Sequence, residues 1–334
     1  MSSARHRFPY AIVTPLLLAA CSGAQSAFTP GSPQSQALRS LFWLMTIVCG
    51  VIWLLVMLSL ILAIWRRGPA ALAGSPQERR ATMVVGTCVM ATVAVIAALT
   101  VVSYAATRRM AEAGAEEPLT IRVRASQWWW EVEYPDTIAS HGFITANEIH
   151  VPVGRPVRVE LEAADVIHSF WVPGIAGKLD TIPGRTNTLT FTARHIGVYR
   201  GQCAEFCGLQ HAHMALLLVV QDPRGFARWE DVQRTQAVTP SDTEQMRGRE
   251  VLVSRQCAAC HTVRGTMASG RLGPDLTHIG GRAFLAAGLL PVTRGSLAAW
   301  VADPQTLKPG NNMPLVPLSP DDLRAVSAYL AALR

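Results

Sequence analysis

The chain has 334 residues, of which 50% are hydrophobic, a mean hydropathy of +0.24 and a formal net charge of +7 at neutral pH. This length leaves room for two or three domains, and the hydropathy is too high for a soluble protein with a single core. The basic residues form no stripe interleaved with aromatic side chains, which argues against nucleic-acid binding. Basic loops beside membrane segments explain the charge more simply.

The first twenty residues follow the pattern of a bacterial export signal. Arg5 and Arg7 give a charged start, and a short apolar stretch runs from Ile12 to Ala20. The stretch ends in Leu-Ala-Ala followed by Cys21, which resembles a lipobox. We therefore expect a lipoprotein-type signal peptide over residues 1–20 and lipidation of the Cys21 thiol. An ordinary signal with an incidental cysteine is the alternative.

Two long apolar runs follow a linker that we expect over residues 21–40, on the periplasmic side. Leu41–Trp65 and Thr82–Tyr104 each exceed the roughly 20 residues needed to cross a bilayer. Arginines in the loop between them place that loop in the cytoplasm: Arg66, Arg67, Arg79 and Arg80. The sequence therefore predicts a transmembrane hairpin over residues 41–110 in the bacterial inner membrane. All that follows it is expected on the periplasmic side.

Within the domain expected over residues 111–222, residues 119–221 show the two-residue period of β-strands. Ile121, Val123 and Ala125 alternate with arginines, and similar segments recur at 144–151, 157–161, 188–191 and 216–220. Proline and glycine turn signals separate these segments. Many short strands at this spacing favour an antiparallel sandwich or barrel.

A cluster of soft metal ligands lies near the end of this region. Two thiols, an imidazole and a thioether occur within twelve residues: Cys203, Cys207, His211 and Met214. Such ligands favour copper, and the three-residue gap between the cysteines differs from the two-residue gap common in structural zinc sites. His168, at the edge of a strand-like segment, is a candidate for a second imidazole. The set is sufficient for a binuclear copper centre, while a zinc site and a disulfide are the alternatives.

A second domain is expected over residues 241–334, after a polar linker over residues 223–240. Ser241-Asp242-Thr243-Glu244 is typical of a capping box and predicts a helix that ends near Gln256. Cys257-Ala258-Ala259-Cys260-His261 follows at once. This spacing suits covalent attachment of haem c through Cys257 and Cys260, with His261 as an axial ligand. A redox dithiol and half of a zinc site are the alternatives.

The second axial ligand is expected downstream. Met313 lies in a loop rich in proline and glycine, before a closing helix predicted over residues 320–333. Methionine raises the haem potential, which suits an electron carrier. Met267 is the other candidate, although it is close to the attachment segment. His278 is interpreted as a loop residue rather than a ligand.

Three segments closely resemble cytochrome oxidase subunit II: His168–Pro173, Lys178–Arg185 and Cys203–Met214. The stretch Gln127–Trp130 also matches that family. The resemblance implies a cupredoxin-like Greek-key β-barrel over residues 111–222 and an electron-entry role for Trp128. It also implies a magnesium or manganese ion on the Glu205 carboxylate, at the junction with subunit I. The implied CuA ligands are His168, Cys203, the Glu205 carbonyl, Cys207, His211 and Met214.

The C-terminal segment is similar to class I cytochromes c, which implies an all-α domain. Gly273-Pro274 fits the loop beside the axial histidine, and Trp300 and Tyr329 fit the packing aromatics. A lipidated hairpin, a CuA barrel and a cytochrome c domain, in this order, resemble the caa-type haem–copper oxidases. The chain is thus expected to be a multi-domain membrane protein.

The resemblance implies an electron-entry subunit of a proton-translocating cytochrome c oxidase. Electrons would pass from haem c to CuA and on to subunit I, where oxygen is reduced to water. The implied partners are subunits I and III, with a cytochrome c or a quinol:cytochrome c oxidoreductase as donor. An electron-donor subunit of a nitric oxide or related reductase is the alternative.

The chain departs from the family at the start of the second apolar run. The family has a glutamate followed by Trp-Thr and a proline, whereas this chain has Glu78-Arg79-Arg80-Ala81-Thr82. Proton uptake through Glu78 is therefore left open.

Overall fold

The computed structural model describes residues 23, 25–66, 75–111, 117–138 and 141–334. It divides into two compact units, one formed by Gln36–Ala113 and the other by Met1–Ser35 together with Gly114–Arg334. The predicted signal peptide, Cys21 and most of the loop between the apolar runs lie outside the described residues.

Two long apolar helices form most of the first unit: α1 (Pro33–Trp65) and α2 (Pro76–Ala111). Both are long and apolar enough to cross a membrane, by length and composition. Their apolar side chains are exposed, with Leu54 and Ile96 each 59% accessible, as expected of helices that face lipid. Helix α1 begins eight residues before the predicted span, inside the expected linker, because Pro33 suits a first helical position and Ser32 Oγ accepts from Ser35 N–H.

Ten strands build a two-sheet barrel in the second unit. One sheet has the order β3-β2-β1-β5-β8 and the other β4-β10-β9-β6-β7. Fully buried side chains such as Trp130, Leu161 and Phe170 fill the space between the sheets. The strands are β1 (Leu119–Ser126), β2 (Trp129–Tyr134), β3 (Phe143–Ala146), β4 (Glu148–Pro152), β5 (Pro156–Ala163), β6 (His168–Trp171), β7 (Leu179–Thr181), β8 (Asn187–Thr192), β9 (Gly197–Cys203) and β10 (Ala215–Gln221).

The segment 144–151, which reads as one strand in the sequence, is divided between the two sheets. Asn147 separates β3 from β4 and adopts a left-handed conformation with φ of 62°. Its side-chain Oδ1 accepts from Trp130 N–H at 2.9 Å, which holds the corner in place. Asparagine tolerates this conformation better than most residues, so a single residue moves the chain from one sheet to the other.

Helix α3 (Pro223–Arg234) occupies most of the segment expected to be a linker. Asp222 caps it by accepting from the Arg224 and Gly225 N–H groups, and Pro223 takes the first helical position. The helix packs on the barrel through buried Phe226 and through Trp229, which stacks on His150 with ring centroids 4.1 Å apart. The irregular connection is therefore shorter than expected.

The C-terminal domain is helical except for one two-stranded ribbon. Gly248 lies where α4 crosses α8, and a Cβ there would be 2.1 Å from Ala325 O. Asp242 rather than Ser241 caps α4, and Gln245 reaches back to Ser241 N–H, so the capping box is shifted by one residue. The elements are α4 (Thr243–Ser254), α5 (Cys257–Cys260), β11 (Phe284–Leu285), β12 (Leu290–Pro291), α6 (Arg294–Ala302), α7 (Pro304–Leu307) and α8 (Pro320–Ala332).

Candidate metal and haem sites

The soft ligands predicted from the sequence converge at one end of the barrel. Cys203 Sγ and Cys207 Sγ lie 3.7 Å apart, and Cys203 Sγ lies 3.1 Å from the Glu205 carbonyl oxygen. His168 Nδ1 is 3.9 Å from the Cys203 sulfur, and His211 Nδ1 is 3.7 Å from the Cys207 sulfur. Met214 Sδ is 4.0 Å from the Cys207 sulfur. One imidazole thus faces each sulfur.

Two elements bring these groups together. His168 begins β6, which pairs with the end of β9 where Cys203 lies, while the loop from β9 to β10 carries the remaining donors. Cys203 and Cys207 are free thiols, 1% and 3% exposed, so neither disulfide nor bulk water competes for them. Among the described residues, His168, Cys203 and Cys207 form the one grouping of three histidine, cysteine or carboxylate ligands close enough to share a metal ion.

Each thiol changes the protonation of the other. The Cys207 thiol lowers the pKa of Cys203, and the resulting thiolate together with burial raises the pKa of Cys207. A second negative charge at 3.7 Å is costly, so the pair retains one proton until a cation offsets both charges. This donor set fits a soft cation bound between two bridging thiolates.

Hydrogen bonds from neighbouring residues hold both His168 and the ligand loop, which is formed by residues 204–214 between β9 and β10. His168 donates through Nε2 to Asp165 Oδ1 at 2.8 Å, which fixes the ring with Nδ1 toward the sulfur. Burial alone lowers the pKa of His168, but Cys203 and Asp165 together raise it. Trp128, 8% exposed, donates from Nε1 to the Cys207 carbonyl at 3.0 Å, and Gln127 Nε2 donates to the same oxygen at 2.7 Å.

The second candidate site lies in the helical domain. Cys257 and Cys260 are free thiols at the two ends of α5, and His261 follows directly. His261 Nδ1 donates to the Pro274 carbonyl at 2.8 Å, which leaves Nε2 for a ligand. Burial lowers the pKa of His261 and favours the neutral imidazole that binds iron. A Cβ on Gly273 would lie 2.6 Å from His261 Cε1, so the loop closes tightly around the ring.

Comparison with known proteins identifies the family. The family described as "Cytochrome C oxidase subunit II, periplasmic domain" matches residues 119–221, and the "Cytochrome c" family matches residues 245–334. The cytochrome c oxidase subunit 2 of Alkalihalophilus pseudofirmus is 33% identical over 329 residues, which cover 96% of this chain and 94% of the relative. The chain belongs to the cytochrome c oxidase subunit 2 family.

Other relatives match parts of the chain. The cytochrome c oxidase subunit 2 of Bacillus subtilis is 34% identical over 231 residues, or 66% of this chain and 64% of the relative. A solved structure, the periplasmic domain of subunit II of cytochrome oxidase from Bradyrhizobium japonicum, is 35% identical in sequence. The match covers 36% of this chain and 95% of the solved chain, with a TM-score of 0.34.

Membership confirms the predicted architecture of two apolar helices, a cupredoxin-like barrel and a helical cytochrome c domain. As a member of the cytochrome c oxidase subunit 2 family, the chain is a subunit of a cytochrome c oxidase and has a role in electron transfer. Its barrel family implies copper, and its cytochrome c domain implies haem. The chain is also a membrane protein, as its two apolar helices and its periplasmic-domain family indicate together.

Several other candidate side chains lie outside the thiol cluster. The Glu205 carboxylate points toward Lys178, with Oε2 3.9 Å from Nζ, and only its carbonyl faces the sulfur. His213 Nδ1 lies 2.7 Å from Gln210 Oε1. Met313 belongs to the helical domain, where Asn311 Oδ1 accepts from its N–H and Gln305 donates to its carbonyl. Met267 is 83% exposed.

Four supporting residues were not predicted from the sequence: Gln127, Asp165, Gln210 and Lys308. Asp165 is three residues before His168, and that spacing was the one available signal. Lys308 precedes Pro309-Gly310, and such a lysine is normally exposed. Here it is 2% exposed.

Proposed function

We propose that the chain is the electron-entry subunit of its oxidase, with a binuclear CuA centre in the barrel and haem c in the C-terminal domain. The arrangement of the soft donors carries this proposal, because two thiol sulfurs lie 3.7 Å apart with an imidazole beside each. When bound, haem and copper supply one-electron redox chemistry that links a cytochrome c or a quinol:cytochrome c oxidoreductase to subunit I, where oxygen is reduced to water and protons are translocated.

In this proposal the barrel residues hold and shield the copper ions. Cys203 and Cys207 would supply thiolates to the copper ions, His168 and His211 would each supply an imidazole, and the remaining donors would be Met214 and the Glu205 carbonyl. Asp165 keeps His168 oriented through the 2.8 Å hydrogen bond. Fixed, dehydrated ligands favour electron transfer because little has to rearrange when the charge changes.

The helical domain holds the haem in a similar way. Cys257 and Cys260 would attach the haem covalently through their thiols, and His261, held by Pro274, would supply a ligand to the iron. Met313 would supply the other protein ligand to the iron, and its backbone hydrogen bonds to Asn311 and Gln305 hold its loop. Methionine ligation raises the potential of the iron, which suits an electron donor to copper.

Trp128 is the proposed point of electron entry into the barrel. Its indole N–H donates to the Cys207 carbonyl, so the ring contacts the ligand loop directly. A Cβ on Gly310, in the segment before Met313, would be 3.6 Å from Trp128 Cη2. The ring therefore lies between the copper ligand loop and the cytochrome domain, where it favours electron transfer from one to the other.

Three finer features of the family are also proposed for this chain. The Glu205 carboxylate binds a magnesium or manganese ion together with subunit I, subunit III completes the assembly, and Cys21 carries lipid. The chain resides in the bacterial inner membrane with both C-terminal domains in the periplasm. The half-exposed position of the Glu205 carboxylate supports a shared ion, because a partner can reach it.

The proposal is tested on the full chain in detergent, matured with haem and loaded with copper. We expect a c-type haem absorption band and an EPR signal of one electron shared by two coppers. Cys207→Ser should abolish the shared-electron signal, whereas Cys49→Ser, which changes a free cysteine in α1, should retain it. Haem without the shared-electron signal in the wild-type chain would refute the proposal. Oxygen uptake by this chain alone should be absent.

A further inference from the structure

Lys308 is buried between the barrel and the cytochrome domain. It follows α7 and is 2% exposed, and its Nζ donates three hydrogen bonds. The acceptors are the carbonyl oxygens of Trp128 at 2.8 Å, His213 at 2.8 Å and Ala286 at 3.0 Å. An ammonium group has three N–H donors, so these three carbonyls use all of them.

Burying this group is unfavourable unless it is compensated. Desolvation lowers the pKa of Lys308 to about 7, and no carboxylate pairs with its Nζ among the described residues. Lysine is rarely buried without a partner. The three carbonyl oxygens provide the compensation, and they come from three segments: the turn between β1 and β2, the loop between β9 and β10, and the ribbon of the cytochrome domain.

Further hydrogen bonds join the barrel to the cytochrome domain. Gln210 of the copper ligand loop donates to the Pro309 carbonyl at 2.9 Å. Ala215 N–H donates to the Ala287 carbonyl at 2.9 Å, and Ala283 N–H donates to Glu148 Oε1 at 2.6 Å.

The ribbon loop is held in an unfavourable shape for these contacts. Ala286 and Ala287 have φ of 54° and 60°, a conformation that alanine seldom adopts. The carbonyl of Ala286 meets Lys308, and that of Ala287 meets Ala215. Strained backbone persists where surrounding contacts determine it, so these contacts define one docked arrangement.

We propose that Lys308 is a positioning residue that locks the cytochrome domain onto the barrel in one fixed docking, with the Gly310 segment against Trp128. The functional consequence of this inference rests on the proposed function: a fixed docking lets an electron pass from haem to copper without a diffusive search. A cytochrome domain that swings on its connection and docks transiently is the competing arrangement.

The proposed fixed docking, called the lock below, is tested by hydrogen exchange on the full chain in detergent. In Lys308→Met, the amides of Ala215 and Ala283 should exchange at least tenfold faster, because their acceptors lie across the interface. Lys178→Met is the matched control: it changes the only other lysine of the chain, which is exposed, and should leave both amides protected. Val123 in β1 and Leu252 in α4 should keep their protection and so report intact domains. Unchanged exchange at Ala215 and Ala283 in Lys308→Met would overturn the proposal.

A second measurement needs no folded variant. In the haem- and copper-loaded wild-type chain, the single-electron transfer from haem to copper after photoreduction should not depend on solvent viscosity. A wild-type rate that falls in inverse proportion to viscosity would show transient docking and overturn the lock. In Lys308→Met we expect this inverse dependence to appear. A wild-type chain without the copper signal would refute the proposed function, while the exchange experiment would still decide the lock.

Discussion

The crossing of α4 and α8 gives a quantitative test of the cytochrome fold through Gly248→Ala. A Cβ at Gly248 would lie 2.1 Å from Ala325 O, 2.6 Å from Ala325 C and 2.7 Å from Tyr329 Cβ. Two of these three atoms belong to the backbone of α8, so no side-chain rotation relieves the clash. The helices would have to separate by about 1 Å to restore ordinary contact distances.

The expected loss of stability follows from two opposing effects. Overpacking in a close-packed core costs about 1–3 kcal/mol, and a clash with backbone belongs at the upper end. Alanine is more favourable than glycine in a helix interior by about 1 kcal/mol, which offsets part of that cost. The net loss is about 2 kcal/mol, and the unfolding temperature of a domain of this size should fall by about 8–16 °C.

The measurement is thermal unfolding of the haem-loaded full chain, followed at the haem absorption band, which reports on the cytochrome domain alone. Gly295→Ala is the matched control, because the nearest atom to a Cβ there is Thr293 Oγ1 at 4.0 Å. That variant should unfold at the same temperature or a few degrees higher. If Gly248→Ala also unfolds at or above the wild-type temperature, the two helices do not pack in contact at Gly248.

Two further predictions concern the barrel. Asn147→Ala should lower the free energy of unfolding of the barrel by about 2–3 kcal/mol. The substitution leaves the buried Trp130 N–H without its acceptor and places alanine at a φ of 62°. Urea unfolding followed by tryptophan fluorescence measures the loss. Asn147→Gly should cost about 1 kcal/mol less, and equal losses would contradict the strain argument. Asp222→Ala should lower the unfolding temperature at pH 7, whereas Asp222→Asn retains a cap. The Gly225 N–H lowers the pKa of Asp222, so the stabilisation is present above the unfolded pKa of about 3.9. The charged part of the stabilisation is lost as the pH falls through the folded pKa, so the stability gap between wild type and Asp222→Ala should narrow in acid, and a gap that stays constant would contradict this.

The strands and the convergence of most of the soft side chains were predictable because both depend on local patterns. Alternation marked β1, and the donors from Cys203 to Met214 lie within twelve residues, so their convergence needs only one loop. The corner at Asn147 was missed because residues 144–151 are apolar enough to read as one strand. Asparagine in a left-handed conformation is compatible with the sequence but is not dictated by it.

Helix α3 was missed for a related reason. Its mean polarity resembles a linker, and its stability depends on Phe226 and Trp229 packing against a surface that is distant in sequence. Asp222 followed by Pro223 was the local signal, since an acidic cap and a proline at the first position begin many helices. That signal establishes where a helix can start, but only tertiary packing decides that it forms.

The predicted redox centres depend on local sequence, whereas the path between them depends on long-range packing. Each predicted centre depends mainly on one short motif, so substituting Cys207 or Cys260 should remove a centre entirely. The coupling between centres depends on residues far apart in sequence, such as Trp128 and Lys308, joined by a hydrogen bond across 180 positions. Substitutions there should leave both spectra intact and change only the rate at which the centres exchange an electron, because they alter distance and docking rather than ligation.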